Sequence, residues 1–159
     1  MTALERIKQF LNEVPSISLG YTEIAFFSPD KLAKEQIGYS IDDNKKSLVT
    51  GREGDWKKEW LVIGRDGLGD PIIVDQSEAN LSVWTAMHGE GEWDPSLIAG
   101  SLEAFKKILL NLEHLSKQRT NPADLAKNPI SKKDQKQFIK EIKESNPEAD
   151  IYYWSGIFE

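Results

Sequence analysis

The residues best equipped for chemistry stand together in His88-Gly89-Glu90-Gly91-Glu92-Trp93-Asp94. One imidazole and two carboxylates at alternate positions form a ligand set for a divalent transition metal. Residues two apart share a face when the backbone is extended, so His88, Glu90 and Glu92 would converge on a continuing strand. Gly89 and Gly91 oppose that arrangement, because glycines so placed favour a turn. The chain has no His-Glu-x-x-His pair, and its other histidine, His114, falls on the polar side of a helical pattern. A small metal-dependent hydrolase centred on His88, Glu90 and Glu92 therefore stands as the alternative reading. Glu90 and Glu92 also satisfy the carboxylate requirement of a glycosidase in a Trp-rich neighbourhood, although two acids this close in sequence are a weak signal.

Other motifs are excluded by spacing. Asp66-Gly67-Leu68-Gly69-Asp70 begins like a calcium loop, but Leu68 stands where an acid or amide is needed and Pro71 where glycine is needed. Gly64, Gly67 and Gly69 precede a strand pattern, not the helix a dinucleotide fingerprint requires. They read as a hairpin whose backbone needs positive φ. There is no nucleophile elbow for Ser-His-Asp catalysis and no phosphate-binding Gly-Lys-Ser/Thr loop. The chain has no cysteine, which removes disulfides, thiolate zinc sites and cysteine nucleophiles. No catalytic residue, metal ligand or cofactor is expected.

The 159 residues are the size of one domain, and residues 1–159 are read as a single unit. Glu5, Arg6 and Lys8 interrupt the N-terminus before an apolar run can build, so residues 1–8 read as no secretory signal. No run approaches the length of a membrane helix, and the expected location is the cytoplasm. The net charge of −6 is unevenly placed: residues 51–95 hold ten Asp/Glu against four Lys/Arg, and the remainder balances. The same segment carries Trp56, Trp60, Trp84 and Trp93. A negative field disfavours nucleic acid and favours a basic protein partner; the competing reading is that these acids are simply solvated hairpin positions. Trp60 and Trp84 sit inside strand patterns and read as core. Trp56 and Trp93 flank loops and glycines, and are the candidates for exposed binding anchors.

The elements that must position these groups follow from periodicity. Residues 3–14 form an amphipathic helix through Leu4, Ile7, Leu11 and Val14, with Thr2 and Glu5 as a capping box. Thr22–Ser28 is a strand, Pro29–Ile37 a short helical piece, and Ser47–Arg52 a possible strand. Glu59–Arg65, Pro71–Asp75 and Leu81–His88 are three successive strands whose connections are too short for anything but antiparallel pairing. Apolar residues on both faces of the first predict that both faces are covered, by helices on at least one side. Ser101 caps a long helix through Leu115, and Ser131 opens another carrying Phe138, Ile139 and Ile142. The tail Ile151–Phe158 is apolar enough to be tied down, read here as an added strand. The fold class is α+β: an antiparallel meander sheet flanked by N-terminal and C-terminal helices.

The run from Trp60 to Asp75 (WLVIGRDGLGDPIIVD) combines a tryptophan, a strand ending in Ile-Gly, an Asp-Gly-x-Gly-Asp hairpin and a second strand ending in Asp. A third strand follows at Val83–Glu90, then a helix opening at Ile98–Phe105. Over about residues 55–110 this resembles the SUKH superfamily, the bacterial immunity proteins related to fungal Smi/Knr cell-wall regulators. Upstream the chain departs from the family, with only Val14-Pro15 and Asp42-Asp43-Asn44 where the family has Leu-Pro and Asn-Gly. The resemblance implies an α+β sheet with flanking helices and a non-catalytic role: neutralising a secreted toxin, of nuclease or deaminase type, by direct binding. The expected partner surface comprises Trp56, Asp66, Asp70, His88, Glu90, Glu92 and Trp93. A scaffold or regulatory protein of the cell-wall-regulator type is the further alternative.

Overall fold

A computed structural model describes residues 1–159. Helix α1 (Ala3–Glu13) opens on the capping box expected of it, with the Glu5 amide donating to Thr2 and the Thr2 amide donating to Glu5. Two strands follow, β1 (Ile17–Leu19) and β2 (Thr22–Phe26), and then β3 (Trp60–Asp66), β4 (Pro71–Asp75), β5 (Val83–Thr85) and β6 (Ser96–Ala99). They pair in chain order, every pair antiparallel, as one six-stranded meander. Helices α2 (Leu102–Ser116), α3 (Pro122–Lys127), α4 (Lys132–Ser145) and α5 (Ile151–Ser155) complete the chain, which is α+β as expected.

The two faces of the sheet are covered differently. Alternation along β4 sends Ile72 and Val74 to one side and Ile73 to the other. The first side meets Ile7, Phe10 and Leu11 of α1, the apolar face of α2, Phe138 and Ile142 of α4, and Trp154 of α5. The second side is closed by the long connection 27–59: Tyr39 and Trp56 pack on Trp60, Val62, Ile73 and Ala86. That connection is locked by Gln36, a buried amide that behaves as a neighbouring strand would. Its Nε2 donates to the Val62 and Leu32 carbonyls (2.8 and 2.9 Å), and its Oε1 accepts from the Val62 amide (2.9 Å). Gly64 is required by the close approach of β2, since a Cβ there would collide with the Ala25 carbonyl oxygen.

Several expectations are corrected. The tail is not a strand but α5 and a following 3₁₀ turn, Gly156–Phe158. Asp150 caps it by accepting from the Tyr152 and Tyr153 amides, and Ile151, Trp154 and Phe158 recur at helical spacing. Trp154 is fully buried and donates to the Ile98 carbonyl at 2.8 Å, so the tail is tied down by a different element than predicted. Ser47–Arg52 forms no strand; one isolated bridge joins Ile41 to Ser47. Pro29–Ile37 forms two 3₁₀ turns, Pro29–Lys31 and Lys34–Gln36, instead of one helical piece. The third strand of the meander is shorter than Leu81–His88, because Leu81 adopts φ 56 and the His88 amide bonds the Asp70 carboxylate instead of continuing the ladder. Ile98 and Ala99 belong to β6, before the helix that Ser101 caps.

Candidate functional site

The Asp66–Asp70 hairpin, the loop after β5 and the start of α5 meet around a cleft of about 630 Å³. Six carboxylates line it: Asp66, Asp70, Glu90, Glu92, Asp94 and Asp150. They divide into two groups by what they hold.

Three are engaged by the fold. Asp66 accepts from the Leu68 and Asp70 amides, both at 3.0 Å, and so shapes the hairpin. Gly69 supplies the positive φ of that turn, +85°. Burial pushes the Asp66 carboxyl above the usual carboxylate range, with the two loop amides pulling the other way and nearby Asp70 adding to the rise. Asp70 accepts from both the backbone amide (2.9 Å) and the Nδ1 (2.6 Å) of His88, so it ties the β3–β4 hairpin to the end of β5. Asp150 caps α5. The phenol of Tyr153 sits deep beside Asp66. Its burial, then the charges of Asp66 and Asp70, hold it well above the ordinary tyrosine range.

Glu90, Glu92 and Asp94 form the second group; they are exposed and make no ion pair or side-chain hydrogen bond. Their loop is held from below. The Trp93 amide donates to the Gly54 carbonyl at 2.7 Å, and the Trp93 ring meets Trp56 edge-on at 5.3 Å and Tyr39 at 5.8 Å. Gly54 has φ +85°, and a Cβ on it would press into the Glu92 side chain. The loop is thereby pinned by an aromatic cluster while its acids face water. Around it stand exposed apolar groups: Leu68 at the hairpin tip (80% exposed), Met87 (64%) and Tyr152 (88%).

The expected site residues are therefore only partly one surface. Asp66, Asp70, Glu90 and Glu92 line the cleft. His88 is exposed at its edge but turned to Asp70. Trp56 is not an exposed anchor: it is 2% exposed, and its Nε1 donates to the Trp60 carbonyl at 3.2 Å. It belongs to the connection 27–59, which folds it against the sheet beside Tyr39, Trp60, Val62 and Ile73, and no local pattern announces this. Trp93 is half-buried and acts as the peg of the acidic loop. Asp94, Asp150, Tyr152 and Tyr153 also line the cleft and stand outside the expected set; for the last three the sequence signal is an Asp cap ahead of a 3.6-residue apolar period, which a strand over the tail conceals.

Nor do His88, Glu90 and Glu92 converge. The strand ends before them, and Gly89 and Gly91 turn the chain at φ +78° and +81°. No group of three or more His, Asp or Glu side chains is gathered closely enough to hold a metal ion. No helix is long and apolar enough to cross a membrane. Compared with known protein families, curated proteins and solved structures, the chain matches none of them.

Proposed function

We propose that the chain is a non-catalytic binding domain that captures a basic protein domain in the acidic cleft, in the manner of an immunity protein neutralising a nuclease- or deaminase-type toxin. The observation that carries this reading is the unpaired trio Glu90, Glu92 and Asp94, held on a pinned loop beside Leu68, Met87 and Tyr152. Unpaired charge on a fixed support speeds the encounter with an oppositely charged partner and fixes its orientation. The exposed apolar groups beside it supply what charge alone does not, area to be desolvated at the centre of an interface. A toxin domain that works on nucleic acid carries a basic active face, which such a cleft covers. The SUKH-like run supports the same reading, because the hairpin it contains builds one wall of the cleft.

The cleft has two kinds of acid, and they have different roles in this account. Asp66, Asp70 and Asp150 hold the walls; Glu90, Glu92 and Asp94 meet the partner. The test is a pull-down of the products of the neighbouring genes with the wild-type chain and with E90Q/E92Q/D94N. A basic domain captured by the first and lost or weakened with the second supports the proposal. Equal capture by both removes the cleft from it. Capture of an endogenous regulatory partner instead of a toxin would favour the scaffold reading.

A further inference from the structure

We propose that the solvent face of α4 is a docking surface for a second copy of this chain, whose Glu90–Asp94 loop lies along it head to tail. Lys132, Lys136, Lys140 and Lys143 recur at intervals of four, four and three residues, so they form one stripe on the helix. The stripe borders a groove of about 480 Å³ that also includes the half-buried apolar side chains Ile139 and Phe158. Only Lys140 has an ion-pair partner, Glu144 at 3.9 Å; Lys132, Lys136 and Lys143 have none. One carboxylate, Glu159, borders the groove. Four ammonium groups around an apolar floor are the charge complement of the trio Glu90, Glu92 and Asp94 beside Tyr152.

Eleven helical residues place Lys132 and Lys143 about 16 Å apart, so the stripe is longer than the turned loop Glu90–Asp94, which could span at most about 13 Å. Both surfaces border the C-terminal segment: Asp150, Tyr152 and Tyr153 line the acidic cleft, and Ser155 and Phe158 line the basic groove. No ion pair joins the two surfaces within the chain. The charge excess lies wholly in residues 51–95, which makes a two-fold pairing of acidic faces repulsive. Setting the acidic loop of one copy against the α4 stripe of another opposes unlike charges, and the head-to-tail form does so with a single such contact per pair. It uses the same loop as the proposed function but needs no other protein, so either can fail alone. Where both hold, self-association competes with partner capture.

The test is sedimentation velocity of the purified chain over a concentration series, at about 0.05 M and about 0.5 M salt, chosen to straddle a Debye length of about 10 Å. At low salt the average mass should rise above the 18.0 kDa of one chain as concentration increases, and return to it at high salt. K132Q/K136Q/K140Q/K143Q and E90Q/E92Q/D94N should each remain one chain alone. Mixed, they should form a one-to-one dimer and nothing larger, because each retains one complementary half. All the substituted side chains are exposed, and unchanged thermal melting verifies that the variants are folded. A wild-type chain that stays monomeric at every concentration overturns the inference. So does association that survives in either variant alone, and so does a mixture that fails to pair.

Discussion

Asp66 distinguishes a wall-forming acid from a partner-facing one, and two substitutions separate the roles. Its Oδ1 accepts two loop amides at 3.0 Å. Asparagine at this position offers a carbonyl oxygen to the same two donors and carries no charge. Alanine leaves both donors without the side-chain acceptor. With each hydrogen bond contributing about 0.5–1.5 kcal/mol net, Asp66→Ala should cost about 1–3 kcal/mol relative to Asp66→Asn. For a chain of this size that lowers Tm by about 3–9 °C. Asp66→Asn should cost nothing at neutral pH and should stabilise. The sign follows from the raised carboxyl: burial disfavours the ionised form in the folded state. The group's contribution to stability is full below the ordinary carboxylate range and is lost as pH rises through the folded-state pKa. Wild type and Asp66→Asn should therefore converge in acid and separate as pH rises to neutrality, with Asp66→Asn the more stable. Thermal melts followed by circular dichroism between about pH 3 and pH 7.5 provide the assay, over the range in which carboxylates titrate. The reasoning is refuted if Asp66→Asn destabilises as much as Asp66→Ala at neutral pH, or if its gap from wild type widens toward acid.

Other perturbations test the supports of the cleft. Gln36→Ala orphans the Val62 amide and carbonyl and should destabilise by about 1–3 kcal/mol for each group left unpaired, measured by urea denaturation; Gln36→Glu should be worse, since its carboxylate faces the Val62 and Leu32 carbonyls. Gly64→Ala should cost about 1–3 kcal/mol by overpacking against the Ala25 carbonyl, also read from urea midpoints. Trp93→Ala should free the acidic loop while leaving the sheet folded: hydrogen exchange should rise at residues 88–94 and remain unchanged in β3 and β4.

The long helices and the central hairpin were legible because their signals are local. Thr2 and Glu5 cap α1, Ser101 and Ser131 cap α2 and α4, and short polar connections force β3, β4 and β5 to be antiparallel. β1 and β6 were not legible: strands of three and four residues are held by neighbours supplied by the fold rather than by a pattern of their own. The aromatic content of the tail suggests a strand, whereas Asp150 and the spacing of Ile151, Trp154 and Phe158 specify a helix. In the site, the acidity of residues 51–95 was visible, but its division was not. That Asp70 holds His88, eighteen positions away, and that Glu90 holds nothing, are products of the fold. Trp56 shows the same limit, since the residues that bury it include Tyr39, contributed by the irregular connection.

The proposed capture of a basic protein domain by Glu90, Glu92 and Asp94 depends on their charge. Its most direct test is the association rate of the captured partner with wild type and with E90Q/E92Q/D94N, measured across a salt series. For wild type the rate should fall steeply with salt, since electrostatic steering can contribute about 10–10³-fold. In the triple variant the rate should be lower at low salt and nearly independent of salt, with thermal stability unchanged. Indistinguishable rates and salt slopes in the two proteins would contradict the account.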